Sequence, residues 1–277
     1  MEQVLYNGLL AGISLDGRHY FYFNPLEDSG RTRRQKWFDC ACCPPNLARF
    51  IASLPGYMYT VSNKGIQVHL YEKSSAEFLF KGSSVKIEQE TDYPWNGHVY
   101  FTIETSIEEP FSIYLRVPSW SNDLSVRIDG KEYSVETQNG YVELNRCWDG
   151  KHTIEFSLKM KPELIEAHPL VRNNLGKVAV RRGPIVYCAE QVDNPNFHVW
   201  TLTVDSEGMK EEKGRIFDRE VVFLKGTGKA IELSEWKGKL YRSLSKAKEI
   251  PVLFTLVPYC AWANREPGSM AVWLGKA

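Results

Sequence analysis

Three cysteines lie within four consecutive positions, and no other residues in this sequence have a comparable potential for chemistry. The cluster comprises Cys40, Cys42 and Cys43, while the other three cysteines are scattered along the chain. A thiolate is both a strong nucleophile and a ligand for soft metal ions. A disulfide framework would space its cysteines more evenly, so the cluster indicates a metal-binding or catalytic site.

Three interpretations of the cluster follow from the residues alone. Incidental cysteines are disfavoured, because three in four positions is an unusual density. A redox Cys-x-x-Cys motif made by Cys40 and Cys43 needs a βαβ surrounding, whereas this chain is rich in hairpin signals. Thiolate binding of a metal is favoured. Three cysteines do not make the paired zinc module, however, so further ligands must come from elsewhere.

A helix is predicted directly after the cluster. Its apolar stripe has members at i, i+3, i+4 and i+7, namely Leu47, Phe50, Ile51 and Leu54. Pro44 and Pro45 suit the first turn, where a missing N–H costs nothing, and Pro55-Gly56 ends the pattern. Cys42 and Cys43 thus precede a helix N-terminus, where unpaired N–H groups and the macrodipole lower the pKa of a thiol.

The residues before the cluster are predicted to form a helical stretch and a hairpin. Residues 2–10 carry Leu5 and Leu9 four apart on one helical face. Asp16-Gly17 supplies the positive φ angles of a tight turn between residues 13–15 and 19–23. A basic stretch follows and is predicted to be a solvated loop; its charged residues are Arg31, Arg33, Arg34 and Lys36.

Beyond Met58 the hydrophobic pattern changes to period two. Residues 111–117 and 154–158 alternate apolar and polar side chains. Asp-Gly and Asn-Gly turns recur at roughly ten-residue spacing, which is typical of a sandwich or barrel. A second β-rich block begins near Leu164, and the polar stretch 205–215 is predicted to be a long loop. We therefore predict a mainly β fold after the helical start.

Composition excludes several classes of partner. The 277 residues carry 34 basic and 34 acidic side chains, so there is no electrostatic reason to expect nucleic acid or an anionic membrane. No apolar run approaches the ~20 residues that span a bilayer. The first residues lack the basic and apolar regions of a signal peptide, so we expect a cytoplasmic protein.

Several segments resemble glycoside hydrolase family 127, which includes β-L-arabinofuranosidases. They are residues 2–17 (EQVLYNGLLAGISLDG), 21–26 (FYFNPL), 40–46 (CACCPPN), 257–268 (VPYCAWANREPG) and 271–274 (AVWL). The resemblance extends from one end of the chain to the other. It implies that an (α/α)6 barrel carries the active site and that two β-sandwich domains follow.

The resemblance also implies a site chemistry. Zinc is held by a glutamate and three cysteines, of which Cys42 and Cys43 are two. Cys42 is the nucleophile of a retaining reaction, forming a glycosyl-thioether while a glutamate acts as acid and then as base. Glu2 and Tyr22 match positions that face the sugar, whereas Cys40 matches the pattern without an assigned ligand role. Most of the barrel, the acid/base glutamate and two zinc ligands are expected upstream of Glu2.

We therefore predict the C-terminal part of a zinc-dependent arabinofuranosidase, incomplete and inactive alone. The expected domains are residues 1–59 as the short helical end of the barrel, 60–163 as the first sandwich and 164–277 as the second. Expected partners are an arabinose-containing oligosaccharide, an upstream barrel fragment and a second copy of the chain. The alternative is a non-catalytic sandwich module for carbohydrate binding or dimerisation. A sugar-stacking patch could be formed by Trp262, Asn264 and Arg265, but a structural turn is the favoured interpretation of these residues.

Overall fold

The computed structural model describes residues 1–121, 123–205, 207–243 and 247–277. The chain divides into two compact units. One comprises Met1–Leu47 together with Pro162–Ala277, and the other comprises Ala48–Lys161. The predicted mainly β fold is confirmed. Within the described ranges, no helix combines the length and apolar character that crossing a membrane requires.

The first residues of the chain are helical, as predicted. A π-helix covers Val4–Leu9 and a 3-10 turn covers Leu10–Gly12. The predicted hairpin is reduced to a single antiparallel bridge between Ile13 and Tyr20, closed by a turn in which Gly17 has φ +72°. Tyr20 also pairs with Gln35, and strand β1 covers Glu27–Asp28. This segment therefore runs mostly as loop between short pairings.

The helix predicted after the cysteine cluster is confirmed. Helix α1 covers Cys43–Ser53, so its two prolines lie in the first turn. A 3-10 helix, Leu54–Tyr57, follows and contains the proline that ends the α-helical pattern. Cys43 is thus the first helical residue, and Cys42 lies directly before it.

The unit formed by residues 48–161 contains two sheets. The five-stranded sheet has the order β10-β11-β7-β3-β2, and the six-stranded sheet has the order β4-β5-β6-β12-β8-β9. In chain order these strands are β2 Tyr59–Ser62, β3 Gly65–Val68, β4 Ser74–Phe80, β5 Ser83–Thr91, β6 His98–Thr105, β7 Phe111–Arg116, β8 Leu124–Ile128, β9 Lys131–Tyr133, β10 Thr137–Gln138, β11 Tyr141–Arg146 and β12 Gly150–Leu158.

The buried faces of these two sheets pack against each other. Phe80 of β4 and Phe111 of β7 come from different sheets, and their ring centroids are 5.1 Å apart. Alternate side chains along each strand are buried, as the period-two pattern predicts. Asp129-Gly130, between β8 and β9, has positive φ at both residues, which is the geometry of a tight hairpin turn.

The other unit contains one ten-stranded sheet, to which β1 also belongs. Strand β14 pairs with both β15 and β21, so the pairings close a ring in the order β15-β19-β18-β16-β21-β14. Its later strands are β13 Pro162–Glu166, β14 Lys177–Arg182, β15 Ile185–Glu190, β16 Thr203–Val204, β17 Lys210–Ile216, β18 Arg219–Ile231, β19 Glu249–Pro258, β20 Met270–Ala271 and β21 Trp273–Lys276. Short 3-10 helices cover Arg172–Asn174, Gln191–Asp193, Val199–Thr201, Leu233–Trp236 and Tyr259–Ala261.

The prediction of a long loop over residues 205–215 is wrong for most of the stretch; its residue Ser206 lies outside the described residues. Strand β17 begins at Lys210 and pairs along its length with β18. Its side chains are mostly exposed and charged, so no apolar alternation marks it in the sequence. Backbone hydrogen bonds to the long strand β18 stabilise β17, and such bonds cannot be predicted from the side-chain pattern.

The N-terminal segment is joined to the C-terminal sheet by backbone pairing and side-chain hydrogen bonds. Strand β1 pairs with β20, and the Asn7 side chain donates to the Pro184 carbonyl at 2.7 Å while accepting from the Val186 N–H at 2.7 Å. The Tyr259 hydroxyl donates to the Pro25 carbonyl at 2.8 Å. These contacts hold the segment that precedes the cysteine cluster against the C-terminal sheet.

Candidate functional site

The cysteine cluster forms a tight turn at the N-terminus of α1. The Cys42 N–H donates to the Cys40 carbonyl at 3.0 Å, which turns the chain before the helix begins. The Sγ atoms of Cys42 and Cys43 are 3.6 Å apart, and the side chains of all three clustered cysteines are exposed. The structure therefore brings the two predicted metal-binding sulfurs together at a position where the helix favours negative charge.

Tyr22 is brought to the same place. Its ring stacks on Phe38 with centroids 3.9 Å apart and an interplanar angle of 13°. The proximity of its hydroxyl to the Cys42 sulfur contributes to lowering the pKa of that thiol. Phe38, which sequence reasoning did not identify, thus orients the phenol toward the thiol. No local pattern distinguishes this phenylalanine from a packing residue.

The surroundings of Cys42 favour its thiolate. A hydrogen bond from Cys43 is the largest contribution to lowering the pKa of the Cys42 thiol, and hydrogen bonds from Tyr22 and Cys40 add to it. The same contact raises the pKa of Cys43, because its proton is held between the two sulfurs. Desolvation and the nearby sulfur charges raise the pKa of Tyr22, so its phenol stays a hydrogen-bond donor. Cys42 is therefore the better nucleophile of the pair.

The remaining cysteines have different environments. Burial raises the pKa of the Cys260 thiol to about 11 and places that of Cys188 well above its usual value. Cys147 is exposed and donates to the Glu108 carbonyl at 3.1 Å. Neither buried thiol is a reactive group at neutral pH, and the Cys147 thiol is engaged by a carbonyl, so the cluster is the candidate site of thiolate chemistry.

The sulfur pair fits part of a zinc site. Two sulfurs bound to one zinc ion at about 2.3 Å with tetrahedral geometry lie about 3.8 Å apart, close to the 3.6 Å found between Cys42 and Cys43. Among the described residues, no group of three or more His, Cys, Asp or Glu side chains is arranged to hold a metal ion. The two thiols can therefore supply two ligands of an ion whose coordination must be completed by others.

Glu2 lies just before the π-helix and is only 7% exposed. A surface carboxylate is the ordinary expectation for a glutamate at the start of a helical stretch. Its burial shows instead that Glu2 belongs to the interior of the N-terminal segment.

Arg34 was expected in a solvated loop, and the structure corrects this. Its guanidinium donates to the Trp262 carbonyl at 2.7 Å and to the Ala11 carbonyl at 2.8 Å, and it lies 4.3 Å from the centre of the Phe21 ring. Phe21 in turn stacks on Trp262. This contact set holds the residue preceding Tyr22 against the C-terminal segment, so Arg34 supports the site without touching the thiols.

The structural turn is the correct interpretation of Trp262, Asn264 and Arg265. Trp262 is 1% exposed, which excludes it as a sugar-stacking surface. Arg265 pairs with Asp193 at 2.5 Å and with Glu190 at 2.8 Å. Burial raises the pKa of Glu190, against the lowering effect of this ion pair, and the network ties the turn to β15.

Comparison with known proteins accounts for nearly the whole chain. Residues 1–56 match the β-L-arabinofuranosidase GH127 catalytic domain, residues 65–160 match the GH127 middle domain, and residues 162–275 match the glycoside hydrolase family 127 C-terminal domain. The chain belongs to glycoside hydrolase family 127. The predicted resemblance is confirmed.

Individual relatives agree with this family. A non-reducing end β-L-arabinofuranosidase of Bifidobacterium longum subsp. longum is 34% identical over 99% of this chain, which covers 44% of that protein. A GH127 β-L-arabinofuranosidase from Geobacillus stearothermophilus T6 is 39% identical with a TM-score of 0.92, and this chain covers 46% of it. A further GH127 β-arabinofuranosidase is 36% identical with a TM-score of 0.89 and is covered to 45%. The chain thus spans slightly less than half the length of these relatives.

Proposed function

We propose that this chain supplies the cysteine nucleophile and two zinc-binding thiolates of a retaining β-L-arabinofuranosidase. The observation that carries the proposal is the pair of Cys42 and Cys43, with sulfurs 3.6 Å apart at the N-terminus of α1. The Tyr22 hydroxyl approaches the same sulfur that the hydrogen bonds favour as a thiolate. Family membership supplies the substrate class, because the relatives are named as arabinofuranosidases.

In the proposed reaction, the Cys42 thiolate attacks the anomeric carbon of the arabinofuranosyl group. The carbon–sulfur bond forms as the glycosidic carbon–oxygen bond breaks, and a carboxylic acid protonates the leaving oxygen. Water then attacks the same carbon, the carboxylate takes its proton, and the sulfur leaves as a thiolate. Two displacements at one carbon retain its configuration. The family resemblance implies that this acid is a glutamate upstream of Glu2.

Zinc is proposed as the cofactor. When bound, it supplies positive charge that keeps both ligating sulfurs deprotonated. Cys42 and Cys43 would hold it, and the glutamate and third cysteine that the family resemblance implies would complete the coordination. We propose that Tyr22, whose hydroxyl lies near the Cys42 sulfur, contacts the sugar. The same role is proposed for Glu2 through the small part of its surface that is exposed.

The finer architecture belongs to this proposal as well. Two packed sheets support a β-sandwich for residues 60–163. For residues 164–277 the strand pairings form one closed sheet, and the N-terminal segment belongs to the same compact unit. We propose that this closed sheet is the second β-sandwich. We propose that residues 1–59 complete an (α/α)6 barrel with further residues of the whole enzyme.

Metal analysis tests the proposed zinc site. We expect zinc to co-purify with the wild-type chain below one equivalent, because two ligands leave the coordination incomplete. The double variant Cys42→Ser/Cys43→Ser should lose most of this zinc, whereas Cys147→Ser, at an exposed cysteine outside the cluster, should keep it. Equal zinc content in the double variant and the wild type would disprove the assignment.

A further inference from the structure

A polar groove of about 360 Å³ lies on the solvent-facing side of the six-stranded sheet. All of its residues belong to the compact unit formed by residues 48–161, and it shares none with the cysteine site. Its volume falls within the ~300–1,000 Å³ typical of small-molecule sites. The lining residues are Lys73, Glu90, Thr91, Asp92, Asn96, His98 and Tyr100.

Tyr100 presents an aromatic surface in this groove. It is 52% exposed, while Val99 and Phe101 on either side of it along β6 are buried in the core. In the sheet register Tyr100 lies opposite Glu90 of β5 on one side and opposite Glu155 of β12 on the other. The phenol ring is therefore an outward-facing platform between two carboxylates.

The polar wall of the groove is held by hydrogen bonds among its own residues. The Asn96 side-chain oxygen accepts from the His98 N–H at 2.9 Å, and its amide nitrogen donates to Asp92 at 3.3 Å. The Lys73 ammonium lies 2.8 Å from the Glu90 carboxylate. Donors and acceptors are thus positioned before any ligand arrives, which reduces the entropy cost of binding one.

This combination fits a neutral carbohydrate. The C–H face of a sugar ring is apolar and packs on an aromatic ring, while its hydroxyls need both donors and acceptors. Lys73 offsets one of the carboxylates, so the groove has no strong single charge that would select a charged ligand. A wholly apolar ligand is disfavoured, because it would bury the Asp92 and Asn96 polar atoms without replacing their hydrogen bonds to water.

We propose that this groove is a second carbohydrate site, which binds an arabinose-containing oligosaccharide with one sugar stacked on Tyr100. The choice of arabinose as the sugar rests on the proposed arabinofuranosidase function. The inference that a sugar stacks on Tyr100 rests only on the groove. Such a site would hold a branched or polymeric substrate on the protein and raise its local concentration. It gives the non-catalytic, carbohydrate-binding alternative a specific location in the same chain.

The test is affinity electrophoresis of the 277-residue chain in gels containing linear arabinan, with dextran as the comparison polymer. We expect arabinan to retard the wild type and dextran to leave it unretarded. Tyr100→Ala should weaken arabinan binding by about tenfold, the size of a lost aromatic contact. Tyr100→Phe, which keeps the ring, should retain most of the binding.

Tyr133→Ala is the matched control, because Tyr133 is an exposed tyrosine of the same sheet that lies outside the groove. It should bind arabinan like the wild type. Equal binding by Tyr100→Ala and wild type, equal retardation by both polymers, or no retardation at all would overturn the proposal. Zinc content measured on Tyr100→Ala should match the wild type, so a failure of the groove is separable from a failure of the cysteine site.

Discussion

At the scale of single residues, the contact that matters most is that between Cys42 and its neighbours. The Cys43 sulfur lies 3.6 Å from that of Cys42, Tyr22 and Cys40 also lower the pKa of this thiol, and α1 adds the favourable end of its dipole. Desolvation opposes these contributions, but the net effect is to lower the pKa of the Cys42 thiol. Their sum distinguishes Cys42 from Cys43, although the two residues are adjacent and chemically identical in the sequence.

The Tyr22 hydrogen bond gives a prediction about pH. Because the pKa of Cys42 is lowered, its thiolate persists to a lower pH than that of an ordinary cysteine, and alkylation should slow only as pH falls through the lowered value. Tyr22→Phe removes one donor, so the midpoint should move upward toward the usual value. Alkylation by iodoacetamide in chelator-treated protein, resolved by fragment mass spectrometry, measures it.

Tyr20→Phe is the control for this experiment. Tyr20 lies two residues away, and its hydroxyl contacts the Gly17 carbonyl rather than a sulfur. Its alkylation profile should match the wild type. Identical midpoints for Tyr22→Phe and Tyr20→Phe would show that the phenol does not stabilise the thiolate.

At the scale of elements, α1 and the loop before it are held by residues distant in sequence. Arg34 reaches the carbonyls of Ala11 and Trp262 and lies over Phe21, so one side chain joins three stretches of chain. The exposed thiols therefore belong to a segment whose position is fixed by the mostly buried guanidinium of Arg34. This explains how a loop of little regular structure can present Cys42 and Tyr22 to each other.

Arg34→Met should destabilise the protein by about 2–4 kcal/mol, because two carbonyls lose charge-assisted hydrogen bonds and methionine cannot replace them. Urea unfolding followed by circular dichroism measures the change. Arg31→Met removes an equal charge from an exposed position of the same loop and should change stability by less than about 0.5 kcal/mol. Similar losses in both variants would indicate that Arg34 contributes through net charge and not through its contacts.

At the scale of the whole molecule, the chain carries one face of a proposed active site. It covers 44–48% of the length of its relatives, and its match to the catalytic domain is limited to residues 1–56. Those residues do not form a unit of their own, since residues 1–47 are part of the compact unit completed by residues 162–277. The cysteine loop therefore belongs to a compact unit that also contains the C-terminal sheet.

A polypeptide limited to these 277 residues should release little or no aglycone from an aryl β-L-arabinofuranoside. Protonation of the leaving oxygen by a positioned acid contributes about 10²–10⁴-fold, and holding the sugar in place contributes about 7–11 kcal/mol. Both require the acid/base glutamate and the barrel walls of the proposed whole enzyme. Turnover should appear on adding a complementary barrel polypeptide and disappear with Cys42→Ala, while Cys147→Ala should stay active. Turnover by this chain alone that survives Cys42→Ala would place the chemistry elsewhere.

The sequence by itself determined the features that depend on neighbouring residues. The period of the apolar residues predicted α1. The alternation within residues 111–117 and 154–158, with the Asp-Gly and Asn-Gly turns, predicted a β-rich stretch after Met58. The density of three cysteines before a helix located the candidate site. These signals are local because helix and strand periodicity, turn conformation and helix dipoles act over a few residues.

Only the tertiary structure revealed the features that depend on contacts between residues far apart in the sequence. It joined the first 47 residues to the C-terminal sheet, enclosed Arg34 and Trp262, and placed Phe38 under Tyr22. It also showed that the charged segment beginning at Lys210 is a strand. Backbone hydrogen bonds to β18 stabilise this strand, and the side-chain pattern of the segment does not predict them. Partners as far apart as Tyr259 and Pro25, which are separated by 234 residues, leave no periodic trace in the sequence. Burial of a polar residue depends on such partners.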